Sequence, residues 1–211
     1  IGLAGGSRAG KSTFIQALTG LSQAMIPKAE KGSRMPTTAV HSVIYNSPER
    51  EAKITFRTRK EFEARLKEML EPFGWEKYSS ISAFVNDLNL DKAKIKDRTW
   101  NNLKISQEAF PYYEKLLGEN ESKTLTLKAE EFDKGKYYFT YMDKDKDVSH
   151  RFFPAVKEAK IFAKFNGIAE DAHIVLLDLP GFGETDKVSK DTIEKLKTVD
   201  FVLFVENTSS G

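Results

Sequence analysis

The sequence of 211 residues contains no cysteine, and it also lacks long apolar runs. Without cysteine there is no disulfide framework, no Cys-ligated zinc site and no iron–sulfur cluster. The longest apolar runs, such as the one at 174–177, fall far short of the roughly 20 residues that span a bilayer, and no signal peptide opens the chain. These absences predict a soluble protein with a cytoplasmic location.

A strong charge imbalance is also missing. The 33 Lys and Arg residues face 31 Asp and Glu residues, which gives a formal net charge of +2. A dedicated nucleic-acid binder usually has a strongly basic face, so we expect no nucleic-acid partner. The apolar fraction of 40% and charged fraction of 30% are those of a folded globular domain. Because the chain begins without Met and ends just after an apolar run, we interpret it as an excerpt from a longer protein.

The hydrophobic pattern predicts an α/β fold with a mainly parallel sheet. Residues 1–4 have the pattern of a buried strand and 11–18 that of a helix, with a glycine-rich turn between them. Residues 39–45 and 52–56 have the pattern of two strands, and the turn formers at 46–48 predict that they form a hairpin.

The middle of the chain has a different character. Residues 57–152 are charged and have helical periodicity, which predicts a largely helical insertion. Strand patterns return at 157–165 and 173–177, and an amphipathic helix is predicted at 187–197 before a final buried strand at 201–205. We therefore predict one nucleotide-binding domain made of two parts, 1–56 and 153–211, of which the C-terminal part is truncated.

A phosphate-binding pattern follows the first strand. Gly5, four residues and then Gly10-Lys11-Ser12 match the P-loop motif in full. The glycines let backbone N–H groups turn toward a phosphate, and the following helix adds the positive end of its dipole. Lys11 would reach the β and γ phosphates, and the Ser12 hydroxyl would bind Mg²⁺. A chance glycine turn is the alternative, but the strand before the motif and the helix after it favour nucleotide binding by Gly5, Gly6, Ser7, Arg8, Ala9, Gly10, Lys11, Ser12 and Thr13.

A carboxylate ends the apolar run at 173–178. Asp178 would lie at the carboxyl edge of a central strand, where a Mg²⁺ ion bound to the phosphates is expected. Leu179-Pro180-Gly181 then forms a turn in which the N–H of Gly181 could face the γ-phosphate. Alone this sequence is an ordinary strand-ending turn; together with the phosphate-binding loop it predicts a Mg²⁺ site.

A third candidate segment, Met35-Pro36-Thr37-Thr38-Ala39-Val40, lies between the first helix and the next strand. A loop of this kind presents a Thr hydroxyl to Mg²⁺ and a backbone carbonyl to water. We assign this role to Thr38, with Thr37 as the alternative because neighbouring threonines leave the alignment open. Threonine beside a strand also occurs for ordinary reasons.

Together these motifs resemble the dynamin superfamily of large GTPases, most closely its bacterial dynamin-like members. The resemblance is carried by Gly5-Gly6-x-x-Ala9-Gly10-Lys11-Ser12-Thr13, Pro36-Thr37-Thr38-Ala39-Val40, Asp178-x-Pro180-Gly181 and the apolar strand at 199–205. It implies a Mg²⁺-dependent GTPase that binds GTP and GDP, pairs as a homodimer through its nucleotide face and remodels membranes through regions outside this chain. It also implies peripheral membrane association.

Two departures from the family's pattern limit what the resemblance implies. The family's Lys-x-Asp motif, which recognises guanine, would lie beyond residue 211, so guanine specificity is implied by the resemblance alone. Ser7-Arg8 stands where the dynamins proper have Gln-Ser. Arg8 resembles the loop arginine of guanylate-binding proteins and atlastins, where that residue acts as an internal arginine finger. The alternative is a solvated arginine that adds positive electrostatic potential.

Two alternative functions stay open. The protein could be a regulatory GTPase that switches a protein partner, or an ATP-dependent P-loop protein.

Overall fold

The computed structural model describes residues 1–5, 9–27, 40–90, 98–140, 147–178 and 194–206. The chain divides into two compact units. The first, here called the sheet unit, comprises Ile1–Ile54, Leu125–Asp143 and Glu158–Gly211. The second, the helical unit, comprises Thr55–Thr124 and Lys144–Lys157. The domain boundaries proposed from the sequence, 1–56 with 153–211 around an insertion at 57–152, stay a prediction.

One mixed sheet contains all the strands of the described residues, in the order β4-β3-β5-β2-β6-β1-β7. β1 is parallel to both β6 and β7, and β2 is parallel to β5 but antiparallel to β6. The predicted α/β fold with a mainly parallel sheet is confirmed. The strands are β1 (Gly2–Ala4), β2 (Ser42–Asn46), β3 (Glu51–Phe56), β4 (Thr124–Lys128), β5 (Val156–Ala163), β6 (Val175–Asp178) and β7 (Val202–Phe204).

The predicted hairpin between β2 and β3 is wrong, because β5 lies between these two strands in the sheet. The physical reason lies in the hydrogen bonds that the Asn46 side chain makes. Its Nδ2 donates to the carbonyls of Ala169 and Ala172 at 2.8 and 3.0 Å, and its Oδ1 accepts from the N–H of Phe165 at 3.0 Å. Asn46 therefore ties the end of β2 to the segment after β5 instead of turning the chain into a hairpin.

The last strand also differs from the expectation of a buried strand at 201–205. β7 is an edge strand of the described sheet, and Phe201, Val202 and Phe204 are 72%, 52% and 58% exposed. An apolar composition favours the strand conformation, but burial also needs neighbours on both sides and faces. In the part of the chain that the structure describes, β7 pairs only with β1.

Local hydrogen bonds between side chains and backbone cap the start of helix α2. Helix α2 starts with a capping box: the Thr58 hydroxyl accepts from the N–H of Glu61, and the Glu61 carboxylate accepts from the N–H of Thr58. None of the helices in the described residues is long and apolar enough to cross a membrane. The helices are α1 (Lys11–Thr19), α2 (Arg59–Leu70), α3 (Ile81–Asn86), α4 (Arg98–Tyr113) and α5 (Lys136–Phe139).

The core of the helical unit is aromatic. Phe62 of α2 packs against Phe110 and Tyr113 of α4, with ring centroids 6.1 and 5.8 Å away. The Tyr113 hydroxyl is buried and donates to the carbonyl of Ser106 at 2.7 Å, so its polar atom has a partner inside the core. Four of the five helices in the described residues, α2 to α5, lie within residues 57–152. Of the helix predicted at 187–197, residues 194–196 are helical and 187–193 lie outside the described residues.

Candidate functional site

Three strands adjoin the sequence motifs, and one end of each lies at the same end of the sheet. β1 leads into Gly5, β6 ends at Asp178, and β2 begins at Ser42. Asp178 lies beside Leu3 of β1 on one side and beside Ser42 of β2 on the other. Because β2 runs antiparallel to β6, the first residue of β2 is level with the last residue of β6. The start of β2 therefore lies at the same end of the sheet as Asp178, whereas Thr37 and Thr38, which precede β2 in the sequence, lie outside the described residues.

The two described glycines of the phosphate-binding motif have backbone conformations that L-residues with side chains rarely adopt. Gly5 has φ 143° and Gly10, the residue before α1, has φ 101°. Gly5 is also required by space, because a Cβ at this position would lie 2.2 Å from the backbone oxygen of Val205. The turn between β1 and α1 thus needs glycine at both ends for local steric reasons.

Lys11 is the first residue of α1 and is only 8% exposed. Its Nζ donates to the carbonyl of Gly5 at 2.9 Å, so the side chain turns back over the start of the loop. Burial lowers the pKa of Lys11, while the negative charge of Asp178 acts in the opposite direction. The lysine side chain is therefore held close to the loop, and its ammonium group is buried, which makes its positive charge unfavourable.

Asp178 is 2% exposed, and its burial raises the pKa of its carboxyl to about 7, an effect that the positive charge of Lys11 partly offsets. Two buried groups of opposite charge thus occupy the same edge of the sheet. Burying such groups is unfavourable unless other charges or hydrogen bonds compensate. Titratable groups perturbed by burial and by a specific charge partner are characteristic of functional sites.

A nucleotide and Mg²⁺ fit the chemistry of this edge. Phosphate charge would stabilise the ammonium form of Lys11, and a divalent cation would stabilise the carboxylate of Asp178. Mg²⁺ commonly takes one or two protein oxygen ligands and completes its shell with phosphates and water. Ser12, half-buried in the first turn of α1, could supply one such oxygen, and the Asp178 carboxylate could hold the ion through a water molecule. No group of three or more acidic or histidine side chains suited to a metal is found among the described residues.

The remaining predicted site residues divide into two sets. Ala9 is half-buried before α1, and Thr13 is exposed in its first turn. The second set lies outside the described residues, and its assigned roles stay predictions: Gly6, Ser7, Arg8, Thr37, Thr38 and Gly181.

One feature near the site was not predicted from the sequence. The Nζ of Lys195 lies 2.8 Å from the Nδ1 of His41, which directly precedes β2. These residues are separated by 154 positions in the chain. The amphipathic pattern at 187–197 indicated a helix there, but nothing in a single sequence indicates which distant side chain a half-buried lysine contacts.

Comparisons with known proteins give a structural likeness. No family model matches the chain, and no curated protein matches it. A solved structure of an oligomerised bacterial dynamin pair, described as a mechanism for the long range sensing and tethering of membranes, aligns over 99% of the chain with a TM-score of 0.50 and 17% identity. A second structure of such a pair aligns over 96% of the chain with 16% identity and a TM-score of 0.42. The first likeness shows a shared fold. The chain spans 27% and 26% of the lengths of these two proteins.

Proposed function

We propose that this chain binds GTP with Mg²⁺ and hydrolyses its β–γ phosphoanhydride bond. The observation that carries the proposal is the buried pair of Lys11 and Asp178, placed at the edge of the sheet where the loop with Gly5 and Gly10 leads into α1. A triphosphate and a divalent cation supply the charges that these two groups lack. The fold shared with a bacterial dynamin supports the proposal, and the choice of guanine comes from the motif resemblance.

Each described residue has a role in this proposal. Lys11 leaves the carbonyl of Gly5 and donates to the β and γ phosphates, and the backbone N–H groups of the loop and of the first turn of α1 bind the same anion. The Ser12 hydroxyl and the Asp178 carboxylate hold Mg²⁺, the latter through water. When bound, Mg²⁺ neutralises charge that develops on the phosphate oxygens.

Three residues outside the described part of the chain complete the proposed site. The Thr38 side chain binds Mg²⁺ and its backbone carbonyl positions the attacking water, with Thr37 as the alternative. The Gly181 N–H contacts the γ-phosphate. Arg8 stabilises charge on the transferring phosphoryl group, and we propose that two copies meet through their nucleotide faces so that Arg8 completes each site. Phosphoryl transfer depends mainly on such positioning and charge stabilisation.

We also propose that hydrolysis is coupled to membrane remodelling at a peripheral membrane location. Support comes from the solved structure of a bacterial dynamin pair, which is described as tethering membranes. Since the chain spans 27% of that protein, any membrane contact in this proposal belongs to regions outside the 211 residues.

The test is the hydrolysis rate per molecule, measured with GTP and with ATP over a range of protein concentrations. We expect a preference for GTP and a rate that rises with concentration. Lys11→Ala should remove activity and weaken GTP binding roughly 100-fold, because charge-assisted contacts to phosphate are lost. Lys164→Ala is a matched control, since Lys164 is exposed and pairs with Glu170 away from this edge. A preference for ATP would contradict the guanine assignment, and a flat, slow GTP rate would favour a switch without dimer-dependent catalysis.

A further inference from the structure

Ser42 is a buried polar residue in an apolar part of the sheet. It is the first residue of β2 and is only 2% exposed. The strand register gives its two neighbours, which are Ala159 of β5 on one side and Asp178 of β6 on the other. Of these two neighbouring positions, only that of Asp178 carries a polar side chain.

Strand pairing places the side chains of Ser42 and Asp178 on the same face of the sheet. Residues directly opposite each other in an antiparallel pair share a face, and their Cβ atoms lie about 5 Å apart. The next pair on this face, Ile44 with Leu176, is apolar and buried. On the other side of Asp178 lies Leu3 of β1, which is fully buried and has no polar side-chain atom. The pairing of the described strands therefore puts the Ser42 hydroxyl within reach of the Asp178 carboxyl.

Packing alone does not favour serine at this position. The neighbouring positions Ala159 and Ile44 are apolar and fully buried. A buried hydroxyl costs free energy unless it forms a hydrogen bond, and apolar β-branched residues are preferred in strands. Alanine or valine would fill this position without that cost. A serine here consequently indicates a polar neighbour that uses its hydroxyl.

The backbone of Ser42 is held from both sides. The carbonyl of the preceding residue, His41, accepts from the N–H of Ala159 at 3.1 Å. From Ser42 to Tyr45, β2 stays in register with both β5 and β6. A short side chain on a fixed backbone loses little conformational entropy when its hydroxyl adopts one direction. Ser42 is thus suited to hold a neighbouring group in one orientation.

We infer that Ser42 is a positioning residue for the Mg²⁺ site: its hydroxyl donates to the Asp178 carboxylate and fixes the direction of that group. This inference rests on the proposed function, in which Asp178 holds Mg²⁺ through water. The hydrogen bond forms with the ionised carboxyl, which is the form that a divalent cation stabilises. A carboxylate offers about four acceptor positions, so it can accept from Ser42 and from a water molecule together. Hydrogen bonds to metal-binding groups commonly fix their orientation in this way.

Mg²⁺ affinity and nucleotide affinity report on different parts of the site. In the sheet, β6 lies between β2 and β1, the strand that leads into the glycine loop. Ser42 therefore borders Asp178 directly, whereas the strand before the loop is two positions away. In the proposed function the loop binds the phosphates, so loss of the Ser42 hydroxyl should weaken Mg²⁺ binding and leave Mg²⁺-free nucleotide binding unchanged.

The experiment compares Ser42→Ala with Ser106→Ala in the intact protein. Ser106 is also a buried serine, but it lies in α4 of the helical unit. Calorimetric titration measures the Mg²⁺ affinity of each GDP-loaded protein, and GDP affinity is measured separately in EDTA. We expect Ser42→Ala to weaken Mg²⁺ binding roughly tenfold, the loss of one hydrogen bond to a charged group. Its GDP affinity in EDTA should equal that of the wild type, and Ser106→Ala should match the wild type in both measurements.

Two further variants test whether the hydroxyl acts through the carboxylate. Ser42→Thr keeps the hydroxyl, and threonine is favoured in strands, so this variant should retain most of the Mg²⁺ affinity. In an Asp178→Asn background, Ser42→Ala should cause no further loss of Mg²⁺ affinity, because both changes remove the same interaction. A tenfold loss in that background would overturn the inference, since Ser42 would then act without Asp178.

The outcomes separate the two proposals. A wild-type protein that binds no guanine nucleotide would overturn the proposed function and the inference with it. If the wild type binds GDP and Mg²⁺ but Ser42→Ala has the same Mg²⁺ affinity as Ser106→Ala, only the inference is wrong. Equal losses of Mg²⁺ affinity and of GDP affinity in EDTA would also overturn it, because they indicate a general structural role.

Discussion

The sheet unit and the helical unit differ in where they place opposite charges. In the sheet unit, Lys11 and Asp178 are almost fully buried at an edge to which several strand ends contribute. In the helical unit, Arg59 pairs with Glu114 and Glu119, each at 2.9 Å, and all three side chains remain substantially accessible to water. Exposed pairs of this kind contribute little to stability, whereas a buried charge pair is unfavourable unless something else compensates it. The buried pair therefore needs compensating charges, which the proposed nucleotide and Mg²⁺ would supply, whereas the exposed pairs need none.

The largest expected change in the free energy of unfolding comes from a substitution in the aromatic core of the helical unit. Phe62→Ala removes a ring that contacts Phe110 and Tyr113 in a nearly inaccessible site. The cavity and the lost transfer free energy should lower the free energy of unfolding by about 3–5 kcal/mol. Urea denaturation followed by tryptophan fluorescence would measure it, since both tryptophans lie in this unit. Tyr112→Ala, at an exposed position of α4, serves as the control. Phe73→Leu is not suitable, because Phe73 is half-buried and its ring contacts the rings of Trp75 and Trp100.

The second prediction tests the buried pair of Lys11 and Asp178 through the pH dependence of the free energy of unfolding. Because the pKa of Asp178 is about 7 in the folded chain against an ordinary value of 3.8, the folded protein keeps a proton between about pH 4 and 7 that the unfolded chain releases. The free energy of unfolding without nucleotide or Mg²⁺ should therefore fall as pH rises through this window. Each pKa unit corresponds to roughly 1.4 kcal/mol.

Asp178→Asn should remove this pH dependence. The variant lacks the buried carboxylate, so its unfolding free energy above pH 7 should exceed that of the wild type by up to about 4 kcal/mol, an upper bound because Lys11 loses an opposing charge. Urea denaturation at several pH values between 4 and 8 measures both curves. Curves of equal slope would show that Asp178 is not buried as a protonated acid.

A smaller effect is expected at the polar atom inside the aromatic core. Tyr113→Phe removes the hydroxyl that donates to the Ser106 carbonyl while keeping the ring. The loss of one buried hydrogen bond should lower the free energy of unfolding by about 1 kcal/mol. A value near that of Phe62→Ala would mean that the hydroxyl, not ring packing, dominates this core.

The smallest effect is expected at the exposed pairs. Arg59→Met should change the free energy of unfolding by less than about 1 kcal/mol, and 0.5 M NaCl should reduce even that difference. The measurement is urea denaturation of both proteins at low and high salt. A loss of several kcal/mol would remove the contrast between the two units, because the exposed pair would then be as important as the core.

The parts of the site that are local in sequence could be predicted. A strand, a glycine loop and a helix starting at Lys11 follow one another directly, and the apolar run before Asp178 determines where that strand ends. Each of these signals is carried by neighbouring residues, so periodicity and spacing were sufficient. The fold class followed from the same alternation of strand and helix patterns.

The features that the sequence did not reveal all depend on distant partners. Asn46 is a residue type that is common in turns, but its side-chain amide forms hydrogen bonds with the segment after β5. β7 has the composition of a buried strand, yet its place at the edge of the described sheet leaves it exposed. The pairing of Lys195 with His41 is a third case, since one charged and one titratable side chain give no sign of which partner each will choose.

The close approach of Val205 to Gly5 has a mechanical consequence. The chain leaving β7 touches the main chain at the start of the glycine loop with no side chain between them, and Val205 also donates its N–H to the carbonyl of Ala4 at 2.8 Å. When two backbone segments are in direct contact, a displacement of one moves the other, because no side chain lies between them that could change its rotamer instead. A force that shifts the edge strand along its axis would therefore act directly on the backbone at Gly5.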